Sequence, residues 1–131
     1  MRGFLILFFL ISSGLMFSCK RANINCEKFR TGNFYFKSEK YGMSFNITRN
    51  DSIQIETQIE NKRISKWRIK WEGKCIYNIT LIEDNYGYYL KAKKKISYSY
   101  EIIEVAKDHY FFKEVDGTFG GGGSGTLWKI E

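Results

Sequence analysis

The stretch Arg63-Ile64-Ser65-Lys66-Trp67-Arg68-Ile69-Lys70-Trp71-Glu72 alternates apolar and basic side chains along its second half. The apolar residues of one side are Trp67, Ile69 and Trp71. The basic residues of the other side are Lys66, Arg68 and Lys70. Successive side chains of a β-strand point to opposite faces of its sheet, so this period of two predicts a strand that is buried on one face and solvated on the other.

The segments on both sides of this strand have the same character. The chain contains no proline, turn residues recur at short intervals, and the segments between them are rich in Ile, Tyr, Phe, Trp and Thr. The other predicted strands are residues 29–37, 43–49, 52–60, 75–83, 86–95, 96–105, 109–115 and 126–130. The pattern predicts an all-β fold, an antiparallel meander of about eight or nine strands. We expect a small lipocalin-like barrel, which leaves no exposed edge, with a two-sheet β-sandwich as the alternative.

Two of these strands carry patterns that bear on the core. In residues 52–60 one face holds Ile53, Ile55, Thr57 and Ile59, and the other face holds Gln54, Glu56 and Gln58. In residues 75–83 one face holds Cys75, Tyr77, Ile79 and Leu81. Ile76 and Ile82 make the opposite face of that strand apolar too, so we expect it to be covered on both sides.

Residues 1–18 form an apolar leader whose only charged residue is Arg2. Residues 4–11 are an unbroken apolar run, and the first acidic residue is Glu27. A positive start followed by a short apolar run is the layout of a secretory signal peptide. A membrane-spanning helix needs roughly 20 apolar residues, which is more than this leader supplies. The leader therefore predicts export and cleavage.

The end of the leader, Leu15-Met16-Phe17-Ser18-Cys19, resembles the lipobox of bacterial lipoproteins, in which a small residue precedes a lipid-modified cysteine. It departs from the common pattern at Met16, where Leu is usual, and at Phe17, which is bulkier than usual. The resemblance implies acyl chains on Cys19 and a membrane anchor. Ordinary cleavage nearby, which would leave Cys19 as a thiol, is the alternative.

This interpretation divides the chain into a signal peptide at residues 1–18, a lipidated tether at 19–26 and a single β domain at 27–131. Lys20 and Arg21 follow the lipidated cysteine and give no acidic surface-export signal. The expected location is therefore the bacterial envelope, at the outer membrane and facing the periplasm.

The chain has three cysteines, an odd number for an exported protein. Lipidation of Cys19 leaves Cys26 and Cys75 as a pair that can persist as a disulfide outside the cytoplasm. Such a bond closes a loop of about 50 residues and stabilises by about 4 kcal/mol in the chain-entropy model. Two separate buried thiols are the alternative. No zinc site is expected, because the chain has one histidine and no CxxC spacing.

Charge and composition favour a binding role. Loss of the leader leaves 20 basic and 14 acidic residues and a net charge of +6, which suits an anionic envelope component or simply a solvated basic surface. Nucleic acid is not expected as a partner outside the cell.

No catalytic residue or cofactor is predicted, since His109 has no nucleophile or carboxylate partner at a recognisable spacing. Aromatic residues make up 18% of the chain, and the candidate ligand-lining rings are Trp67, Trp71, Tyr77, Tyr98 and Tyr100, with a packed core as the alternative.

From Cys26 onward the chain resembles small lipoproteins of Bacteroidota-type bacteria. The resemblance is carried by Cys26 with Thr31-Gly32-Asn33-Phe34, by residues 47–56, and by Lys70-Trp71 with Cys75-Ile76-Tyr77. Members of that group are often labelled DNA topoisomerase IV in error; a chain of this size has no cleavage-religation domain. The Thr31-Gly32-x-Phe34 opening is also loosely similar to the Gly-x-Trp start of lipocalin-like barrels, with Phe34 replacing Trp.

The resulting hypothesis is an exported lipoprotein, held at the membrane by the lipid on Cys19, that acts as a non-catalytic binding or envelope-structural module. One alternative is a lipocalin-like carrier of a small apolar ligand, which requires a cavity beneath Trp67 and Trp71. The other is a protein-interaction or inhibitor subunit of an envelope complex.

Overall fold

The computed structural model describes residues 24–87, 94–120 and 123–131. Their fold is all-β. The strands are β1 (Gly32–Ser38), β2 (Met43–Arg49), β3 (Ile53–Gln58), β4 (Ile64–Trp71), β5 (Ile76–Asp84), β6 (Ser97–Val105), β7 (His109–Gly117) and β8 (Ser124–Ile130). The leader and Cys19 lie outside the described residues. Within the described ranges, no helix has the length and apolar character needed to cross a membrane.

The eight strands form a closed barrel in sequence order, with every neighbouring pair antiparallel. Closure comes from β1 and β8, which pair from Asn33 opposite Ile130 to Phe36 opposite Leu127. The predicted meander barrel is therefore confirmed, and the sandwich alternative is wrong. The Trp67–Ile69 face of β4 points into the barrel, as its alternation predicts.

The prediction of a strand at residues 86–95 is wrong for the four residues of this range that the structure describes. Tyr86, Gly87, Lys94 and Lys95 all lie outside the strands. β5 ends at Asp84, and the Asp84 Oδ1 atom accepts a hydrogen bond of 3.0 Å from the backbone N–H of Tyr86. Gly87 then takes a φ of +66°, which suits a turn and not a strand. Residues 88–93 of that prediction lie outside the described residues.

Strand β3 reverses the usual rule that apolar residues face inward. Gln54 and Gln58 are buried, whereas 38% of Ile55 is exposed. The alternation along this strand is confirmed, but its polar side faces the interior. On β5, Ile76 and Ile82 are 38% and 37% exposed, so the expectation of cover on both faces of that strand is wrong.

A short 3-10 helix at Glu27–Phe29 closes one end of the barrel, which we call the floor. Phe29 is fully buried, and its ring meets the Tyr110 ring edge-on at 5.1 Å between centroids. Cys26 and Cys75 form a disulfide across this end, with Cα atoms 5.4 Å apart, which agrees with the predicted pairing. Lys28 Nζ donates hydrogen bonds of 2.7 and 2.9 Å to the carbonyls of Ala106 and Lys107. The floor is thus fixed to β5 and to the β6–β7 turn.

Candidate functional site

A polar cluster lies inside the lower half of the barrel around Arg49. This residue is 2% exposed, and its guanidinium donates hydrogen bonds to Gln54 Oε1 at 2.7 Å, the Phe29 carbonyl at 2.9 Å and the Tyr110 hydroxyl at 3.1 Å. The guanidinium also lies 4.9 Å from the Phe34 ring centroid and 4.7 Å from that of Tyr77. Cation–π contacts with desolvated rings are favourable, so the buried charge is well compensated.

The cluster continues upward to Glu56. Gln54 Nε2 donates a hydrogen bond of 2.7 Å to Glu56 Oε1, so Gln54 links the arginine to the carboxylate. Burial raises the pKa of Glu56, and the hydrogen bond from Gln54 and the charge of Arg49 offset only part of this. The Tyr77 and Tyr110 hydroxyls are 3.1 Å apart. These contacts fill the lower interior and hold the floor in place.

The structure separates the five predicted ligand-lining rings into two groups. Trp67 and Tyr77 belong to the buried core, and Trp71 packs on Tyr77 with ring centroids 4.9 Å apart. Tyr98 and Tyr100 also line a cavity, and their rings contact those of Trp67 and Tyr77, with centroids 6.0 and 5.5 Å apart. The Arg49 guanidinium occupies the space beside Trp71, 5.9 Å from the ring centroid.

The end opposite the floor, which we call the mouth, holds a cavity of about 1230 Å³. Its inner wall consists of Phe36, Phe45, Tyr98, Tyr100 and Glu114, and its rim comes from the β1–β2 turn and the β7–β8 connection. The Phe36 and Phe45 rings stack with centroids 6.2 Å apart. Tyr98 and Tyr100 stack at 6.4 Å across from them in the cavity lining.

Two features of β8 shape the wall of the cavity. Gly125 lets the Phe36 and Phe112 rings pack directly against the backbone of β8, since a Cβ atom there would lie 2.6 Å from Phe36 Cε2 and 3.3 Å from Phe112 Cζ. In addition, the pairing of β1 with β8 stops at Phe36 opposite Leu127, before either strand ends. The cavity therefore extends between these strands at the mouth, where Tyr35 and Trp128 of the outer wall also line it.

Tyr100 forms the inner end of this cavity. Burial raises the pKa of its hydroxyl well above the ordinary value, and the nearby carboxylates of Glu56 and Glu114 raise it further. The hydroxyl is therefore neutral over the whole physiological range. It can donate or accept a hydrogen bond to a molecule in the cavity.

Several residues of the mouth were not predicted as site residues, although their alternation carried a signal. Phe45 shares a face with Ile47, and Glu114 follows Tyr110 and Phe112 at every second position. A carboxylate that continues an aromatic inward face is an indication of a polar contact inside a barrel. Gly125 and Phe36 gave no such indication, since their roles depend on the meeting of β1 and β8.

His109 does have a carboxylate neighbour, which corrects the expectation from its spacing. Its Nδ1 atom lies 2.8 Å from Asp108 Oδ1, and its ring packs on Trp128 with centroids 4.2 Å apart. The hydrogen bond to His109 lowers the pKa of Asp108. This pair is at the surface where the β6–β7 turn meets β7, and neither residue lines the cavity.

The described residues contain no group of three or more His, Cys, Asp or Glu side chains that could hold a metal ion. Searches against protein-family models, curated proteins and solved structures returned no match for this chain. The geometry of the mouth is therefore the basis for a functional proposal.

Proposed function

We propose that this protein is a non-catalytic binding barrel that takes a small amphipathic molecule into its mouth. The observation that carries the proposal is the cavity of about 1230 Å³ above a closed, disulfide-linked floor. Small-molecule sites are concave, mostly apolar and equipped with a few polar groups; this cavity is larger than their usual volume of roughly 300–1,000 Å³ and has room for such a ligand. Four aromatic rings with two hydroxyls and a carboxylate provide that mixture here.

The proposal includes the cellular address. The leader and the lipobox-like residues 15–19 support an exported lipoprotein with acyl chains on Cys19, held in the envelope at the outer membrane and facing the periplasm. A binding domain at that place meets envelope lipids, metabolites and their amphipathic fragments. A carrier or sensor for such a molecule fits the cavity at the mouth.

Saturable binding of the neutral fluorescent probe N-phenyl-1-naphthylamine tests the binding proposal. We expect probe fluorescence to rise and saturate at one probe per protein. Phe45→Glu places a charge in the inner wall and should abolish the signal. Asn46→Glu puts the same charge on the exposed outer face of β2 and should leave it unchanged. Circular dichroism verifies that both variants are folded, and the absence of saturable binding to the folded wild type would refute the proposal.

Intact-mass measurement of protein extracted from membranes tests the address. We expect the wild type to begin at Cys19 and to carry acyl mass, and the Cys19→Ala variant to lack that mass. Wild-type protein that carries no acyl chain would overturn the lipoprotein part of the proposal without affecting the binding test.

A further inference from the structure

We propose that the mouth selects a positively charged head group, an organic ammonium, and orients it inward towards Tyr98 and Tyr100. This inference rests on the proposed function and adds the chemical class of the ligand. It follows from the negative charge and aromatic faces of the inner wall and from the position of the lysine side chains at the rim.

The inner wall provides aromatic faces and negative charge. Phe36 with Phe45 and Tyr98 with Tyr100 form two stacked pairs that line the same cavity. The negative faces of aromatic rings attract ammonium groups, most strongly where water is excluded. Glu114 lines the same cavity, so a carboxylate lies among the rings.

The Glu114 carboxylate also acts on the Tyr100 hydroxyl and opposes its ionisation. An ammonium beside that hydroxyl gains the attraction of this carboxylate. An anionic head group at this position would be repelled by it and would lose its hydration as well.

The described lysines that line the cavity, Lys37 and Lys40, lie at its rim in or beside the β1–β2 turn. Arg49 is at the floor, where Gln54, Tyr110 and the Phe29 carbonyl accept its hydrogen bonds. At the rim, Lys37 Nζ lies 3.8 Å from a Glu39 carboxylate oxygen, and Lys40 Nζ lies 5.1 Å from the Tyr41 ring centroid. These lysines favour an anion outside the cavity and oppose a cation only at the entrance. Head groups of opposite sign are therefore expected at different depths.

Displacement of N-phenyl-1-naphthylamine by three ligands of equal chain length tests this inference. The ligands are octyltrimethylammonium, octanoate and 1-octanol, used near neutral pH and below any micelle concentration. We expect the ammonium to bind about tenfold more tightly than octanoate, a difference typical of one desolvated cation site. Octanol measures the contribution of the chain alone.

Two variants locate the head group. Glu114→Gln and Tyr98→Leu should each reduce the preference for the ammonium over octanol, whereas Glu104→Gln on the exposed face of β6 should leave it unchanged. Equal binding of the three ligands, or tighter binding of octanoate, would overturn the inference while saturable probe binding still supports the proposed function. An ammonium preference that survives both variants would also overturn it, because the head group would then lie outside this wall.

Discussion

Arg49 is the residue on which the closed end of the barrel depends. Its three hydrogen bonds join β2 to β3, β7 and the 3-10 helix, and its charge lies between aromatic rings. A buried charge with this many partners is costly to remove alone, because Gln54 Oε1 and the Phe29 carbonyl then lose the donor that Arg49 provides. Arg49 thus connects the interior of the barrel to the segment that closes it.

Arg49→Met should lower the free energy of unfolding by about 3 kcal/mol or more, since it leaves Gln54, the Phe29 carbonyl and Glu56 without their cation. Chemical denaturation followed by fluorescence measures this loss. The matched change Arg68→Met on the exposed face of β4 should alter stability by less than about 0.5 kcal/mol. Equal effects of the two changes would show that the Arg49 contacts contribute little.

Glu56 should make stability depend on pH. Its folded-state pKa is raised above the unfolded value, so the folded protein binds this proton more tightly than the unfolded chain does. The resulting stabilisation is complete below the unfolded pKa and is lost as the pH rises through the folded pKa. Glu56→Gln removes this titration, so its stability relative to the wild type should increase as the pH rises above the unfolded pKa of Glu56.

Urea denaturation of both proteins at several pH values measures that difference. Glu83→Gln, which alters an exposed carboxylate on β5, is the control and should track the wild type across the range. A constant difference between Glu56→Gln and the wild type would contradict a raised pKa at Glu56.

Among the strands, β3 shows where sequence patterns reach their limit. Its alternation predicts a strand, but the choice of inward face depends on its neighbours. Gln54 is opposite Trp67 of β4 and Arg49 of β2, and Glu56 is opposite Ile47. Directly paired residues share a face of the sheet, so the inward rings of β4 and the inward arginine of β2 place the polar side of β3 inside. The inward face of β3 is therefore determined by the register of β2, β3 and β4, and not by the sequence of β3 alone.

The strand content and the closed architecture could be predicted because β4 and its neighbours alternate clearly between turns. The cavity could be predicted only in part. Tyr98 and Tyr100 were among the aromatic candidates, but Trp67, Trp71 and Tyr77 carry the same alternation and lie in the packed core. What distinguishes the two groups is whether a ring meets the Arg49 guanidinium, as Trp71 and Tyr77 do, or lines the cavity, and this depends on contacts between strands.

Gly125→Ala should destabilise the protein by about 1–3 kcal/mol, because its Cβ atom would meet the Phe36 ring at 2.6 Å. It should also weaken probe binding, since Phe36 must move into the cavity or away from its stacked partner. Gly123→Ala is the control, as nothing lies within 4 Å of its added Cβ atom. Thermal unfolding and probe titration measure the two effects, and identical behaviour of both variants would contradict a close-packed Gly125.

In the molecule as a whole, hydrogen bonding and covalent linkage reinforce the same closed end. The strands close into a barrel without free edges at the floor, and the Cys26–Cys75 bond joins the segment before β1 to the start of β5. The mouth has no comparable link among the described residues. We therefore expect the floor to resist local unfolding more strongly than the mouth, and a ligand to enter at the mouth.

Removal of the disulfide by the double change Cys26→Ala and Cys75→Ala should lower the free energy of unfolding by about 4 kcal/mol in the chain-entropy model. The loop that the bond closes spans a sequence separation of 49 residues. Denaturation of the oxidised wild type beside the double variant measures the loss. Probe affinity should persist under native conditions, because the cavity lies at the opposite end, and a parallel loss of binding would contradict this separation.

If Cys19 carries the proposed acyl chains, the disulfide determines which end of the barrel lies nearer the membrane. Residues 19–26 span seven peptide units, a reach of about 25 Å when fully extended, and they end at a cysteine fixed to the floor. Acyl chains on Cys19 would hold the floor close to the bilayer and direct the mouth towards the aqueous compartment. A ligand would then be captured from solution or from a partner protein, and a molecule leaving the supporting membrane would have to travel around the barrel to enter.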